Sequence, residues 1–451
     1  MNNDIIKILN LKDTDIETID SYVDENILYI NLKLIRKVMQ CPYCINSKIK
    51  IKDYRVQEIN HPILNNMNCI IRYNRRRYKC DFCGKTFSEE NDFISTNNRS
   101  TDYIILSVMN KLRQLNLTYS NVAKECNISV TEVQEIFDTH YIPLTQKLPK
   151  VLCIDEIHDP ATGIGVYDCI LLDFLNNKVV DYLPDRSKAY LSNYFTKRRK
   201  SELKNVKYIS IDMWEPYRDI AHLYFKQAIV SVDSFHVIEN IQRAFDKVRI
   251  RIMKKYSKET NEYYLLKTFS FLLRLANKNI EKNEAKYNKK FKKYLNLHDI
   301  LKLQLEINNE LRLAYTLKEL YLFFNRTATI ETAPHELQVM INDFKKSKIK
   351  EYEDVYKMLL NWKKEIINSF SIMENGERIS NAKIESRNKE VGKLQYNANG
   401  MRNFKRLRSR IMYCINNDPF SINKLPNTSK SEGKKRGKYN KQNSLDIQKG
   451  C

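Results

Sequence analysis

The sequence of 451 residues lacks an uninterrupted apolar run of about 18 residues, which a membrane-spanning helix would need. Its first residues, Met-Asn-Asn-Asp-Ile-Ile-Lys, also lack the charged, apolar and small-residue order of a secretory signal peptide. Glycine and proline are scarce, at 9 and 10 residues, which leaves little room for long flexible linkers. These absences predict a compact cytoplasmic protein without a membrane partner.

Acidic residues are also fewer than basic residues. The chain has 77 Lys and Arg residues against 54 Asp and Glu residues, a formal charge of +23. An excess of this size favours a polyanionic partner, because cationic side chains that neutralise phosphates release counterions. The length allows roughly three domains at about 150 residues each.

Ten cysteines would suggest disulfides only in an oxidising compartment, which nothing here indicates. Four of them form the pairs Cys41-Pro-Tyr-Cys44 and Cys80-Asp-Phe-Cys83, and four thiolates can close a tetrahedral Zn²⁺ site. Gly84 permits the tight turn after the second pair. The wide separation predicts a β-hairpin inserted at residues 45–79. The alternative is a set of redox or packing cysteines.

The same segment carries cations interleaved with aromatic residues, from Arg72 to Lys79. The residues Arg75, Arg76 and Arg77 are therefore predicted to contact DNA phosphates. The alternative is a solvated strand edge that charge protects from aggregation.

Residues 118–137 have the apolar spacing of a helix-turn-helix, with Val122, Ala123, Ile128, Val133 and Ile136 as its core. Asn127 can adopt the left-handed turn conformation, and Ser129 can cap the second helix. Exposed residues of that helix, among them Thr131 and Gln134, are predicted to face a DNA major groove. An ordinary helical hairpin is the alternative.

From Lys150 onward the pattern becomes one of alternating strands and helices. Buried strands are predicted at 151–154, 167–174, 178–183, 206–211 and 228–232. The order β-β-β-α-β-α-β is typical of an RNase H-like sheet. Asp155 then ends the first strand, Asp212 follows the fourth, and Asp233 follows the fifth.

A further acidic residue, Glu385, ends the helix-entering run Asn-Ala-Lys-Ile-Glu, although Glu377 and Glu390 lie nearby and spacing alone leaves the choice among the three open. Two carboxylates at strand ends and a third on a helix can hold Mg²⁺ or Mn²⁺, which activate a water or sugar hydroxyl and stabilise the leaving oxygen of a phosphodiester. Alternatively, such acids cap helices or face water. Asp233 competes with Asp212 for the second ligand position, and strand order favours Asp212. Glu156 is predicted to take a supporting or surface position.

Between His236 and Glu385 apolar residues recur at helical spacing without a strand pattern, which predicts an all-helical insertion. Its predicted core stripes are Leu311, Ala314, Tyr315, Leu320, Tyr321, Phe324, Val355, Met358, Leu359, Trp362, Ile366 and Phe370. After Glu385, cations including Arg387, Lys393 and Arg402 are predicted to hold a DNA backbone.

Several segments resemble bacterial insertion-sequence transposases of the ISL3 family. They are Ile154-Asp155-Glu156, Asp212-Met-Trp-Glu-Pro-Tyr217, Asp233-Ser-Phe-His236-Val, Ile384-Glu385-Ser-Arg-Asn388-Lys and Tyr396-Asn-Ala-Asn-Gly400-Met-Arg-Asn403-Phe404. The run Met-Trp-Glu-Pro-Tyr is highly specific, whereas the cysteine pairs and the helix-turn-helix are generic. The resemblance covers nearly the whole chain. The chain departs from the family pattern at Ser386, where glycine is usual.

The resemblance implies that Asp155, Asp212 and Glu385 are the metal ligands of a DDE transposase. It also implies that Asp233 and His236 form the Asp/Cys-x-x-His pair of related transposases, in which the histidine helps to organise the active site or bound DNA. It implies binding to double-stranded DNA at transposon terminal inverted repeats, metal-dependent strand cleavage and strand transfer. It further implies a homodimer or larger assembly on DNA in the bacterial cytoplasm, associated with the nucleoid. The rival interpretations are a transposase-derived DNA-binding regulator without catalysis and a metal-dependent nuclease.

The predicted architecture is an α/β RNase H-like core with a large helical insertion, preceded by a zinc-ribbon-like domain and a helix-turn-helix. The predicted parts are the zinc-binding domain 1–95, the helix-turn-helix 96–148, the first part of the core 149–240, the helical insertion 241–375, the glutamate-bearing part of the core 376–415 and a disordered basic tail 416–451.

Overall fold

The structure, a computed structural model, describes residues 15–37, 39–64, 66–91, 94, 99–159, 165–281, 283–398 and 401–422. Gly400 and residues 423–451 of the predicted tail lie outside this described part. The chain forms two compact units. Unit 1 comprises Met1–Ser107, Gln134–Ile142 and Phe420–Cys451, and unit 2 comprises Val108–Val133 and Pro143–Pro419.

Unit 1 is built on a five-stranded sheet. Its strands are β1 (Ile16–Asp24), β2 (Ile27–Leu34), β3 (Ile49–Leu64), β4 (Met67–Cys80) and β5 (Thr86–Ser88). They lie in the order β1-β2-β4-β3, with β5 beside β4. Because strand side chains alternate between faces, one face of the sheet supplies the core, which includes Ile30, Ile59 and Ile71. The antiparallel pairing of β3 with β4 confirms the hairpin predicted between the cysteine pairs.

The next helices are α1 (Asp102–Leu112), α2 (Tyr119–Cys126) and α3 (Val130–His140). Asn127 ends α2 in the left-handed conformation, with φ 53° and ψ 47°. The side chain of Ser129 accepts a hydrogen bond from the backbone N–H of Glu132 at 3.1 Å. Both predicted roles are confirmed. Of the predicted core residues, Val122, Ala123, Val133 and Ile136 are buried, and Ile128 is half-buried. Helices α1 and α3 each contribute residues to both units.

Unit 2 contains the second five-stranded sheet, in the order β10-β9-β6-β7-β8. Its strands are β6 (Val151–His158), β7 (Tyr167–Asp173), β8 (Lys178–Leu183), β9 (Tyr208–Ile211) and β10 (Ile229–Val232). β7 pairs antiparallel with both β6 and β8, whereas β6, β9 and β10 are parallel. Between β8 and β10 lie α4 (Lys188–Thr196), α5 (Lys200–Asn205) and α6 (Glu215–Tyr224). The predicted order of strands and helices is therefore confirmed.

β6 is longer than predicted. It continues past Ile154 to His158, since β7 pairs with it over that length. Asp155 therefore lies within the strand, at the point where the parallel pairing of β6 with β9 ends. The sequence signal failed here because the chain turns polar where only one neighbouring strand remains.

The segment after β10 is mostly helical. It contains α7 (Ser234–Met253), α8 (Asn261–Thr268), α9 (Ser270–Arg274), α10 (Leu297–Glu306), α11 (Asn309–Thr327), α12 (Ala333–Lys346), α13 (Glu353–Asn361) and α14 (Lys363–Asn368). The prediction of an all-helical insertion is wrong at one place, a hairpin of β11 (Lys286–Asn288) and β12 (Lys293–Leu295). Strands of three residues are too short to show a sequence period.

The predicted apolar stripes form the core of this segment with one clear exception. Leu320 is 44% exposed, because it lies on the outer side of α11, whereas Tyr321 beside it is buried. Helix α15 (Ala382–Asn397) returns to the sheet, and α16 (Phe404–Asn416) packs on β8. Among the described residues, no helix has the length and apolar character needed to cross a membrane.

Candidate active site and zinc site

Three aspartates lie in one row at the edge of the unit 2 sheet. The last residues aligned by the parallel pairing of β6, β9 and β10 are Ile154, Ile211 and Val232. Asp155, Asp212 and Asp233 come next on each strand, and all three are buried. Since neighbouring strands are about 4.8 Å apart, Asp212 lies between the other two, which are about 10 Å from each other.

Asp155 and Asp212 form a carboxylate cluster with Glu156. One oxygen of each side chain lies within 4.8 Å of the others. Burial, followed by the negative charge of Asp212, raises the pKa of Asp155 to about 8. Glu156 is held by Arg186, with 2.5 Å between Oε1 and Nη1. The structure thus places Glu156 in the cluster itself, where the sequence predicts a supporting or surface position.

Helix α15 contacts this cluster through two asparagines. Nδ2 of Asn388 donates a hydrogen bond to Asp155 Oδ2 at 2.6 Å. Nδ2 of the buried Asn381 donates to Asp212 Oδ1 at 3.1 Å. Glu385 lies four residues after Asn381, which caps the start of α15, and three residues before Asn388, so all three share one helix face. Glu385 is therefore bracketed by residues that touch the two aspartates.

Asp233 and His236 lie at the beginning of α7. Nε2 of His236 is 3.0 Å from Asp212 Oδ1. The hydrogen bond with Asp212, against the opposing effect of burial, raises the pKa of His236 to about 9. Asp233 Oδ1 accepts a hydrogen bond from the backbone N–H of Asn381 at 3.5 Å. The structure therefore brings Asp155, Asp212, Asp233 and His236 to one edge of one sheet, and the close group of carboxylate oxygens found among the described residues does not include Glu385.

The composition of the cluster fits a hard divalent cation. Buried carboxylates that have lost water and repel one another are costly without a positive partner. Oxygen donors suit Mg²⁺ and Mn²⁺, whereas thiolates suit softer metals. Among the described residues, Asp155, Glu156 and Asp212 place their oxygens close enough together to hold such an ion.

The four paired cysteines meet at one end of the β3–β4 hairpin. All four sulfur atoms lie within 4.8 Å of one another. Cys41 Sγ is 3.6 Å from Cys83 Sγ, and Cys44 Sγ is 3.6 Å from Cys80 Sγ. Tetrahedral Zn–S bonds of about 2.3 Å place sulfurs about 3.8 Å apart. The arrangement therefore fits Zn²⁺.

The two cysteine turns share one backbone geometry. The N–H of Ile45 donates to the carbonyl oxygen of Cys41 at 2.9 Å, and the N–H of Gly84 donates to that of Cys80 at 3.0 Å. Both residues are left-handed, with φ 60° at Ile45 and 71° at Gly84. This conformation suits glycine but costs a β-branched residue about 1–2 kcal/mol. Ile45 is 73% exposed, so packing offsets little of that cost.

The single substitutions Ile45→Gly and Gly84→Ile should have opposite effects on the stability of unit 1. Ile45→Gly removes strain but loosens the unfolded chain, so we expect the stability of unit 1 to stay equal or rise by up to about 1 kcal/mol. Gly84→Ile should lower it by about 1–2 kcal/mol, because it introduces the same strain. Hydrogen exchange of β3 and β4 in zinc-saturated full-length protein measures both. An equal loss in both variants would contradict the strain assignment.

The structure corrects the prediction for the arginines of β4. Arg76 is 2% exposed, and its Nη1 donates to Glu89 Oε2 at 3.0 Å. Arg76 is therefore unavailable to a DNA phosphate. Arg75 donates to the backbone oxygen of Glu89 at 2.8 Å, and Arg77 pairs with Asp53 at 3.3 Å. These two would have to give up partners to bind a phosphate.

The cations after Glu385 divide into two groups. Arg387 is engaged by Glu390 at 2.6 Å and by the carbonyl oxygen of Asn177 at 3.0 Å. Lys393 and Arg402 are exposed and make no ion pair within the described part of the chain. Lys393 and Arg402 are therefore free for a polyanion without rearrangement, whereas Arg387 is not.

Sequence reasoning missed Glu156 as a cluster member and both asparagines as its partners. The asparagines had a usable signal, since their spacing of four and three residues from Glu385 is helical. Glu156 had none, because alternation along a strand predicts that it points away from its neighbour Asp155.

Comparison with known proteins shows the family of the chain. The ISL3-type DDE family model, described as a transposase, matches residues 152–411, which include Asp155, Asp212 and Glu385. A model of the zinc-finger of transposases IS204, IS1001, IS1096 and IS1165 matches residues 37–83. The transposase for insertion sequence element IS1001 of Bordetella parapertussis is 22% identical over 265 residues. That alignment covers 57% of this chain and 64% of the relative, so the chain spans just under two thirds of that protein. The chain belongs to the ISL3 family of transposases.

Proposed function

We propose that this protein cuts DNA at the ends of an insertion sequence and joins the freed ends to target DNA. The observation that carries the proposal is the pairing of Asp155 with Asp212, with Glu385 on the helix face that contacts both. Divalent ions bound there would activate a water or a 3′ hydroxyl and stabilise the leaving oxygen of the phosphodiester.

The surrounding residues have distinct roles in this proposal. Asp155, Asp212 and Glu385 hold Mg²⁺ or Mn²⁺. Asn381 and Asn388 are positioning residues, since each fixes the orientation of one aspartate through its amide. His236 supplies positive charge beside Asp212.

The folds proposed for the two DNA-handling parts rest on strand order and turn geometry. The order β10-β9-β6-β7-β8, with three antiparallel strands followed by two parallel ones, supports an RNase H-like core. The left-handed turn between α2 and α3 supports a helix-turn-helix. On α3, Thr131 is exposed and Gln134 is half-buried, so Thr131 is the better candidate for contacting a base. We propose that this helix and the zinc ribbon recognise double-stranded DNA at the terminal inverted repeats.

Bringing two transposon ends together requires at least a dimer on DNA. The proposed substrate places the protein in the bacterial cytoplasm, at the nucleoid. A regulator without catalysis is the rival proposal, and the buried carboxylate cluster weighs against it, because a DNA-binding module has no use for repelling buried acids.

A donor-plasmid assay tests the proposed function. Purified full-length protein is incubated with supercoiled plasmid that carries both ends of the element, in Mg²⁺ or Mn²⁺. We expect cleavage at the element ends and joined products with target DNA, and no products in EDTA. End-specific binding without cleavage in either ion would favour the regulator, and cleavage without joined products would favour the nuclease.

The positioning role of Asn388 predicts a measurable loss. Asn388→Ala removes the 2.6 Å hydrogen bond to Asp155, and such outer contacts are worth about 10- to 100-fold in metal affinity or activity. We expect a loss of that size in cleavage, together with a higher Mn²⁺ concentration for half-maximal rate. The matched control is Asn375→Ala, which alters an exposed asparagine that hydrogen-bonds only to Glu377 among the described residues. An unchanged Mn²⁺ requirement in Asn388→Ala would refute the role.

A further inference from the structure

The second half of α15 presents an exposed surface that continues the face of Glu385. We call it the distal surface, formed by Lys389, Gly392, Lys393 and Tyr396. At 3.6 residues per turn, Gly392 and Tyr396 lie within about 20° of Glu385 around the helix axis. A strand of DNA that enters the carboxylate cluster and follows this helix therefore meets the distal surface.

Tyr396 is the first unusual feature of this surface. Its side chain is 85% exposed, the largest fraction among the exposed large hydrophobic side chains that the structure describes. It makes no ring contact and no hydrogen bond with another described residue. An aromatic ring held out from a rigid helix is suited to stacking on a nucleobase.

Gly392 is the second unusual feature. Glycine inside a helix lowers its stability relative to alanine, and here no packing need accounts for it. A Cβ atom added at Gly392 would meet no atom within 4 Å. Glycine at such a position is typical of places where a ligand approaches the backbone closely. The open space lies one turn before Tyr396, on the same face.

The positive charge of the distal surface indicates a ligand that carries phosphates. Lys389 and Lys393 are exposed and have no ion pair within the described residues, so both are free to contact phosphates. At 1.5 Å per residue, Tyr396 is about 16 Å from Glu385 along the helix, which corresponds to about five nucleotides at 3.4 Å each.

We propose that the distal surface holds the DNA strand next to the scissile phosphate, with Tyr396 stacked on an unpaired base about three to six nucleotides away. The inference rests on the proposed function and adds its substrate form, an end that is locally unpaired. Stacking on Tyr396 requires the base to leave the duplex, so the helix stabilises the opened end.

Permanganate footprinting and cleavage of end-containing duplexes test this inference. With wild-type protein in Ca²⁺, we expect thymines placed three to six nucleotides from the cleavage point to become reactive. Tyr396→Ala should abolish that reactivity and reduce cleavage about 10- to 100-fold, whereas Tyr396→Phe should retain both. A duplex with mismatches at those positions should restore cleavage by Tyr396→Ala. Tyr294→Ala, at a 71% exposed tyrosine of the β11–β12 hairpin, is the control and should match wild type.

Gly392 provides an independent check with opposite signs for stability and activity. Gly392→Gln should raise the melting temperature slightly, because the helix gains a better helix former in open space. The same variant should reduce cleavage at least about tenfold, since its side chain occupies the path of the strand. If wild type cleaves and Tyr396→Ala and Gly392→Gln cleave equally well, the inference is overturned and the proposed function stands. If wild type does not cleave, both fall.

Discussion

Asp155→Asn and Asp212→Asn are each expected to reduce donor-plasmid cleavage by at least about a thousandfold. Each removes an anionic ligand from the cluster, and metal stabilisation of the developing charge is worth several kcal/mol. Glu385→Gln should cause a comparable loss. Binding to end-containing duplexes, measured by gel shift, should remain nearly unchanged, because the proposed groove-facing residues lie on α3. Cleavage is measured on the same supercoiled donor plasmid.

The control for these variants is Asp219→Asn, which alters an exposed aspartate paired with Lys188 at 2.7 Å. It should cleave like wild type. The rival ligand Asp233 gives the sharpest contrary outcome. If Asp212→Asn retains cleavage and Asp233→Asn loses it, the second metal ligand is Asp233 and not Asp212.

In metal-free protein, Asp155→Asn should keep or raise the stability of the fold, although it lowers cleavage. The pKa of Asp155 is raised to about 8 in the folded chain, so the folded state binds more protons than the unfolded state between pH about 4 and about 8. Stability therefore falls as pH rises through that window. Asp155→Asn removes this dependence and should melt at an equal or higher temperature than wild type at pH 8 in EDTA. A large drop in melting temperature would show that lost activity reflects misfolding.

Much of the catalytic sheet could be predicted from sequence because its strands are buried on both faces. Val151–Ile154 is apolar throughout and is followed by Asp155, and the strands before Asp212 and Asp233 each contain a single serine among apolar and aromatic residues. The choice of Glu385 came from resemblance, since Glu377 and Glu390 lie nearby in the sequence. Its support in the structure comes from Asn381 and Asn388, whose contacts cross about 170 and about 230 residues of chain.

The arginines of β4 show what sequence cannot supply. Arg76 can be buried because Glu89 neutralises its charge. Glu89 directly follows β5 and lies outside the run of cations. A run of cations predicts a solvated or DNA-facing strand. Whether one of its arginines is buried depends on whether the fold places a carboxylate next to that arginine. The β11–β12 hairpin was missed for a different reason, because strands of three residues are too short to show a sequence period. The ring contact between Tyr287 and Tyr294, at 5.3 Å, is visible only in the structure.

Removal of zinc should unfold the sheet of unit 1. One Zn²⁺ per chain is expected at Cys41, Cys44, Cys80 and Cys83, where the sulfurs already lie at near-tetrahedral spacing. Binding of zinc to such sites is worth about 10–16 kcal/mol in small domains, which exceeds the stability of most domains. Cys80→Ser should therefore lose zinc by elemental analysis and lose hydrogen-exchange protection across β3 and β4. The matched control is Cys414→Ser, in which serine can keep the 3.1 Å hydrogen bond to the carbonyl oxygen of Leu112.

The two compact units separate the consequences of zinc loss. The carboxylate cluster and its helix α15 lie wholly in unit 2, whereas the four cysteines lie wholly in unit 1. We therefore expect Cys80→Ser to lose end-specific binding while protection of β6 and β9 persists. The variant should keep nonspecific DNA affinity, since Lys389, Lys393 and Arg402 are untouched. A zinc-free wild-type preparation with full protection in β3 and β4 would refute the zinc assignment. Equal loss of protection in β6 would show instead that zinc stabilises the whole chain.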